Sequence, residues 1–153
     1  MLKYVNTMVT FSEVPDEISL CIEISNCPCH CKNCHSSYLA EDIGENLTLD
    51  TIYKLIDSNE GITCICFMGG DSNPEYINIL GKTIKCHKLK SAWYSGRQEL
   101  SKEIDLKNFD FVKLGPYIEE LGPLNSKNTN QRFYKIEENK LIDITNLFWK
   151  DND

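Results

Sequence analysis

The chain has 153 residues, 41% hydrophobic and 25% charged, and a formal net charge of −7. That length and composition suit one globular domain spanning residues 1–153, and an acidic chain without a Lys/Arg cluster lacks a nucleic-acid footprint. No apolar run approaches the ~20 residues of a membrane helix. The opening MLKYVNTMVTFSEVPDE has no apolar signal core, so a cytoplasmic protein is expected.

In chain order, the first strand expected is ISLCIEIS, residues 18–25, which is rich in β-branched side chains. A cysteine-rich loop follows it. LTLDTIYKLIDSN then carries Leu49, Ile52, Leu55 and Ile56 at helical spacing, with Thr48 as N-cap and Gly61 just past the end. GITCICF is a short apolar run of the kind found in buried parallel strands, and it ends in MGGDSN. Asn73 and Pro74 provide an N-cap and first helical position for PEYINILGKTIKCHK. LKSAWYS and FDFVKLG are two further strands, ending in Gly96 and Gly115. QRFYKIEENKLIDITNLF reads as a hairpin turning at Glu138-Asn139.

Strand, loop, helix, strand is the order of βαβ units. The expected fold is therefore α/β, with about four or five mostly parallel strands and a C-terminal hairpin. A full eight-fold barrel needs ~250 residues, so a shortened, open (β/α) partial barrel is expected. In such sheets ligands collect beyond the carboxyl ends of the strands. The unusual segments lie at those ends: the cysteine loop, MGGD, YSGR and LGPY.

Eight cysteines in a cytoplasmic chain point to metal binding or catalysis rather than to disulfides. Within CPCHCKNC, the spacing Cys27-x3-Cys31-x2-Cys34 can hold three corners of a cubane iron–sulfur cluster, where purely structural clusters take four cysteines. The vacant fourth corner is the kind of open position a catalytic metal keeps. A structural zinc on the same three thiols with His30, His35 or Cys29 is the alternative, as is an unmetallated redox loop. Cys29 falls outside the three-ligand spacing. Cys64 and Cys66 share a strand face and read as small core residues, and Cys21 and Cys86 as structural.

These residues resemble the radical S-adenosylmethionine (SAM) superfamily, through the cysteine triad after one strand and Met68-Gly69-Gly70-Asp71 after the next. More narrowly, the chain resembles the activating proteins of anaerobic ribonucleoside-triphosphate reductase. CHCKNCHS, MGGD, WYSGR and FDFVKLGPYIEELGPLNSKNTNQRFYKI carry that likeness over residues 4–136. Three positions depart from the usual pattern: Asn33 where an aromatic is common, Asp71 where Glu is common, and Leu114 where Asp often precedes the late glycine.

The resemblance implies a 4Fe-4S cluster on Cys27, Cys31 and Cys34, with SAM chelated at the open iron. It implies reductive SAM cleavage and a glycyl radical formed on the partner reductase, with no catalytic side chain beyond the cluster. SAM contacts would come from Asn33, Cys34 and His35 near the adenine, and from Gly69, Gly70 and Asp71 near the methionine ammonium. Ser95 and Gly96 would lie near the ribose or carboxylate, while Lys113 is taken as a strand-face charge. Asn130, Gln131 and Arg132, in a long polar loop, would dock the reductase. A flavodoxin or ferredoxin would supply electrons, and neither nucleic acid nor membrane is an expected partner. Activation of a different glycyl-radical enzyme, and a non-enzymatic zinc or iron–sulfur module, are the competing functions.

Overall fold

A computed structural model describes residues 1–29 and 37–149. The eight strands are β1 (Lys3–Thr10), β2 (Ser19–Ile24), β3 (Glu45–Asn46), β4 (Cys64–Met68), β5 (Lys90–Tyr94), β6 (Phe111–Leu114), β7 (Arg132–Glu137) and β8 (Lys140–Asp143). The two α-helices among the described residues are α1 (Leu49–Ser58) and α2 (Pro74–Cys86). All strands join one sheet in the order β3-β1-β2-β4-β5-β6-β7-β8.

This architecture corrects the expected (β/α) partial barrel of the radical SAM type. Four neighbouring pairs are antiparallel and only three, β2-β4, β4-β5 and β5-β6, are parallel. The physical reason lies in the connections. A parallel neighbour needs a long crossover, usually helical. Helices α1 and α2 supply two of these, but the third, between β5 and β6, contains only a 3-10 turn at Leu106–Asn108. After β6 the chain returns antiparallel as β7. Antiparallel strands thus border the parallel strands on both sides, and the result is an open mixed sheet with few helices.

Local chemistry accounts for the helices. Thr48 Oγ1 accepts from the Thr51 N–H at 3.1 Å, and Asn73 Oδ1 accepts from the Tyr76 N–H at 3.2 Å. Each satisfies an amide that a helix start leaves unpaired. The β7–β8 hairpin turns at Glu138 and Asn139, whose φ values are 50° and 60°. Two successive left-handed residues make the tight turn whose twist matches the flanking strands. Strand β1 has no counterpart among the predicted elements, because Val5, Met8 and Val9 are 37–45% exposed and leave no clear alternation.

The sheet has two unlike faces. On one, Leu20, Ile22, Ile65, Phe67 and Trp93 pack against Ile52 of α1 and Ile77, Leu80 and Ile84 of α2. Burying each of these helix side chains contributes ~1.5–3 kcal/mol. The other face carries the alternating partners Cys21, Cys64, Cys66, Ala92 and Phe111, with Phe133, Val14 and Leu124. At the carboxyl end of this face Met68, Tyr94, Lys113 and Leu124 line a cavity.

Burial pushes the Cys64 thiol up to about 12 from an ordinary value of 9.0. Burial also raises Cys66, and a hydrogen bond from Cys66 lowers Cys21. Because the folded Cys64 holds its proton more tightly than the unfolded one, its contribution is complete below about pH 9 and is lost as pH rises toward 12. Iodoacetamide at pH 8 should therefore modify Cys86, which is exposed at the end of α2 rather than structural as its sequence suggested. Cys21, Cys64 and Cys66 should react only after unfolding, and peptide mass spectrometry reads the difference.

No helix among the described residues is long and apolar enough to cross a membrane.

Candidate functional site

The carboxyl ends of β2, β4, β5 and β6 open onto one side. Beyond β2, the Asn26 N–H donates to Glu41 O at 3.0 Å and the Cys27 N–H to Leu39 O at 2.7 Å. The start of the cysteine loop is thereby pinned to the segment that follows it. Cys27 and Cys29 are half-buried and line a cavity of about 880 Å³, together with Gly69, Asp71, Gly96, Lys113 and Gln131. Phe11, Phe148 and Trp149 form an aromatic wall that the sequence reading did not single out. Cys31, Cys34, Asn33 and His35 lie outside the described residues. Among the described residues no group of three or more His, Cys, Asp or Glu side chains is gathered to hold a metal.

Asp71 is 8% exposed and ties three strand ends together. Its Oδ1 accepts from Ser95 Oγ at 2.5 Å, and its Oδ2 from the Gly96 N–H at 2.8 Å. The Cys29 thiol approaches Oδ2 at 3.8 Å. Ser95, predicted to meet a ligand, therefore spends its hydroxyl on Asp71 while accepting from the Arg97 N–H at 3.1 Å. Gly96 does line the cavity, and a Cβ there would come 2.7 Å from Cys29 Sγ. The missing side chain is what lets the cysteine loop lie against the end of β5.

The two glycines of MGGD separate in role. Gly69, with φ +104°, lines the cavity, and a Cβ there would lie 2.9 Å from Ile24 O. Its carbonyl accepts from Trp93 Nε1 at 2.7 Å. The Gly70 carbonyl accepts from the Asn73 N–H at 3.0 Å. Both carbonyls expected to meet the methionine ammonium thus already hold one intrachain donor, leaving one lone pair each. Gly70, with φ +95°, faces the core: a Cβ would sit 2.5 Å from Ile77 Cδ1. Gly70→Ala should cost about 2–4 kcal/mol through overpacking and left-handed strain, measured by urea unfolding. SAM affinity of the folded fraction should stay within twofold; lost affinity at full stability would place Gly70 in the site instead.

Lys113, taken from sequence as a strand-face charge, is 8% exposed and turned inward. Its Nζ donates to Ser95 O at 2.9 Å and Gly115 O at 3.0 Å, and stands 5.7 Å from the Tyr94 ring centroid. Alternation with Phe111 carried the signal for this orientation. The trio Asn130, Gln131 and Arg132 does not act as a unit. Asn130 Nδ2 donates to Pro116 O at 3.0 Å, and only Gln131 lines the cavity. Arg132 sits on the opposite face, 3.8 Å from Asp143.

The described part of the site fits an iron–sulfur cluster with a chelated sulfonium ligand. Two thiols stand at the mouth of a roomy cavity, bare glycines line the approach, and an ammonium and a carboxylate are fixed in its wall. Cys27, with Cys31 and Cys34 from the same loop, would hold the cluster. No protein-family model, curated protein or solved structure matches the chain.

Proposed function

We propose that this chain is a radical SAM activase. It would cleave SAM reductively at a 4Fe-4S cluster and generate a glycyl radical on anaerobic ribonucleoside-triphosphate reductase, in the cytoplasm. One observation carries the reading: Cys27, Gly69, Asp71 and Gly96, from three separate strand ends, line one cavity beside the Cys27-x3-Cys31-x2-Cys34 spacing.

When bound, the cluster would supply the electron that breaks a carbon–sulfur bond of SAM; a reduced flavodoxin or ferredoxin replaces that electron. The chain's own part is to bind, orient and exclude water. Asp71 holds the ends of β4 and β5 and the Cys29 thiol in one arrangement. The Lys113 ammonium places positive charge in the cavity wall, where a ligand carboxylate is stabilised. Phe11, Phe148 and Trp149 give the cavity an aromatic lining.

Anaerobic reconstitution with iron and sulfide, followed by assay of SAM cleavage with reduced flavodoxin, tests the reading. Electron paramagnetic resonance on the reductase, and on other glycyl-radical enzymes, identifies the partner. Stoichiometric zinc with no cluster after reconstitution would make the chain a binding module instead.

A further inference from the structure

The far wall of the cavity holds a polar group that the proposed function leaves unused. Gln131 is 7% exposed and lines the cavity. Its main chain is fixed: the N–H donates to Thr129 Oγ1 at 3.0 Å, and its Cα lies 3.1 Å from where a Gly115 Cβ would stand. Its side-chain carboxamide has no hydrogen-bond partner among the described residues, and neither amide atom is sealed from solvent. A carboxamide held at a cavity wall with donor and acceptor both open is set up for a ligand.

The register describes its surroundings. Met68, Tyr94, Lys113 and Phe133 form one row across β4, β5, β6 and β7. One step nearer the cavity rim on the same face stand Gly96, Gly115 and Gln131. Two of these three have no side chain: Cys29 Sγ lies against Gly96 and the Gln131 main chain against Gly115, so of the three only Gln131 brings a side chain to the cavity. The adjoining wall, Tyr117, Pro123 and Leu124, is largely apolar.

A primary carboxamide presents one donor and one acceptor side by side, as a strand edge does. Its complement is a main-chain amide, and the cavity of about 880 Å³ that Gln131 lines has room for one. Gln131 precedes β7, two strand spacings from the end of β5, where the Cys29 thiol rests against Gly96. At ~4.8 Å each, that is about 10 Å. We propose that the Gln131 carboxamide recognises a main-chain amide of the polypeptide that carries the substrate glycine. The proposal rests on the radical SAM reading for the identity of that polypeptide.

The test titrates anaerobically purified protein with N-acetyl-glycyl-glycine N-methylamide while following the Gln131 side-chain NH2 signals by ¹⁵N NMR. Loss of those signals in Gln131→Met assigns them. The peptide should shift them saturably, and Gln131→Met should weaken peptide binding about tenfold, a loss of ~1.4 kcal/mol. Gln131→Glu keeps the shape, loses the donor and should also weaken binding, which guards against a misfolded Met variant. Adenosine is titrated in parallel, because glutamine also pairs with an adenine edge. A response to adenosine but not to peptide, or to neither, overturns the proposal. In turnover, the KM for the substrate polypeptide should rise about tenfold in Gln131→Met with kcat changed less than twofold; a fall confined to kcat overturns it. Wild-type protein that binds the peptide at Gln131 but cleaves no SAM would leave this proposal standing and remove the radical reading.

Discussion

Cys27→Ala is expected to abolish reductive SAM cleavage and to leave the reconstituted protein without its cluster. The Cys27-x3-Cys31-x2-Cys34 spacing provides three thiolates for a four-iron cube, and a site with no spare protein ligand does not tolerate losing one. Changes to groups that only support a metal ligand already cost 10–100-fold, so loss of the ligand itself should cost roughly a hundredfold or more. Cys31→Ala and Cys34→Ala should behave alike. Cys29→Ala is the informative contrast, since Cys29 also lines the cavity. Its thiol rests against Gly96 and reaches Asp71 Oδ2 only at 3.8 Å, a weak thiol contact. Removing it should lower stability by less than ~1 kcal/mol and leave iron content and SAM cleavage within about twofold of wild type. Iron and sulfide analysis with the cleavage assay reads all four variants. Loss of the cluster in Cys29→Ala would mean the ligand set is different, and the open iron position would no longer follow.

Asp71→Ala is expected to be the most destabilising change at the site. The Asp71 carboxylate takes the Ser95 hydroxyl at 2.5 Å and the Gly96 N–H at 2.8 Å. Truncation strands the buried Ser95 hydroxyl and the half-buried Gly96 N–H at once, each charge-assisted bond contributing ~1.5–3 kcal/mol. The net loss should be about 3–5 kcal/mol, read as a drop in Tm of roughly 6–20 °C for a domain of this size. Asp71→Asn keeps the shape and one acceptor, so it should lose about half as much. Both variants should also bind SAM more weakly, because the ends of β4 and β5 are no longer held together. An Asp71→Ala protein as stable as wild type would show that those ends are fixed by other contacts, and that Asp71 is free to serve the ligand alone.

Much of the local structure was legible in the chain. Thr48 and Asn73 cap the two helices because their short polar side chains compete for the first amides. The Glu138-Asn139 turn and the apolar runs of β4, β5 and β6 follow from periodicity and turn chemistry. The global fold was misread because local alternation of strands and helices says nothing about where parallel pairing stops. That depended on two connections that turn the chain back antiparallel, from β1 to β2 and from β6 to β7 across Gly115–Gln131. The likeness of short motifs to a barrel-forming superfamily did not reveal those returns. Strand β1 escaped because a strand half-open to water, with Val5, Met8 and Val9 exposed, carries a weak hydrophobic pattern.

At the site, the sequence by itself determined the chemical types present: soft ligands on one loop, and glycines and a carboxylate at the ends of strands. Spacing along the chain is enough for that, since a loop of closely spaced side chains is a local object. Tertiary structure decided the direction of each group. Lys113 turns inward because it alternates with Phe111 on the face that carries the cavity. Ser95 turns to Asp71 because the ends of β4 and β5 abut, and the Gly69 carbonyl is engaged by Trp93 Nε1 from β5, while that of Gly70 is taken by the local Asn73 N–H. Gln131 parts from Asn130 and Arg132 because neighbours on a strand point to opposite faces, and which face held the cavity was a property of the packed sheet alone.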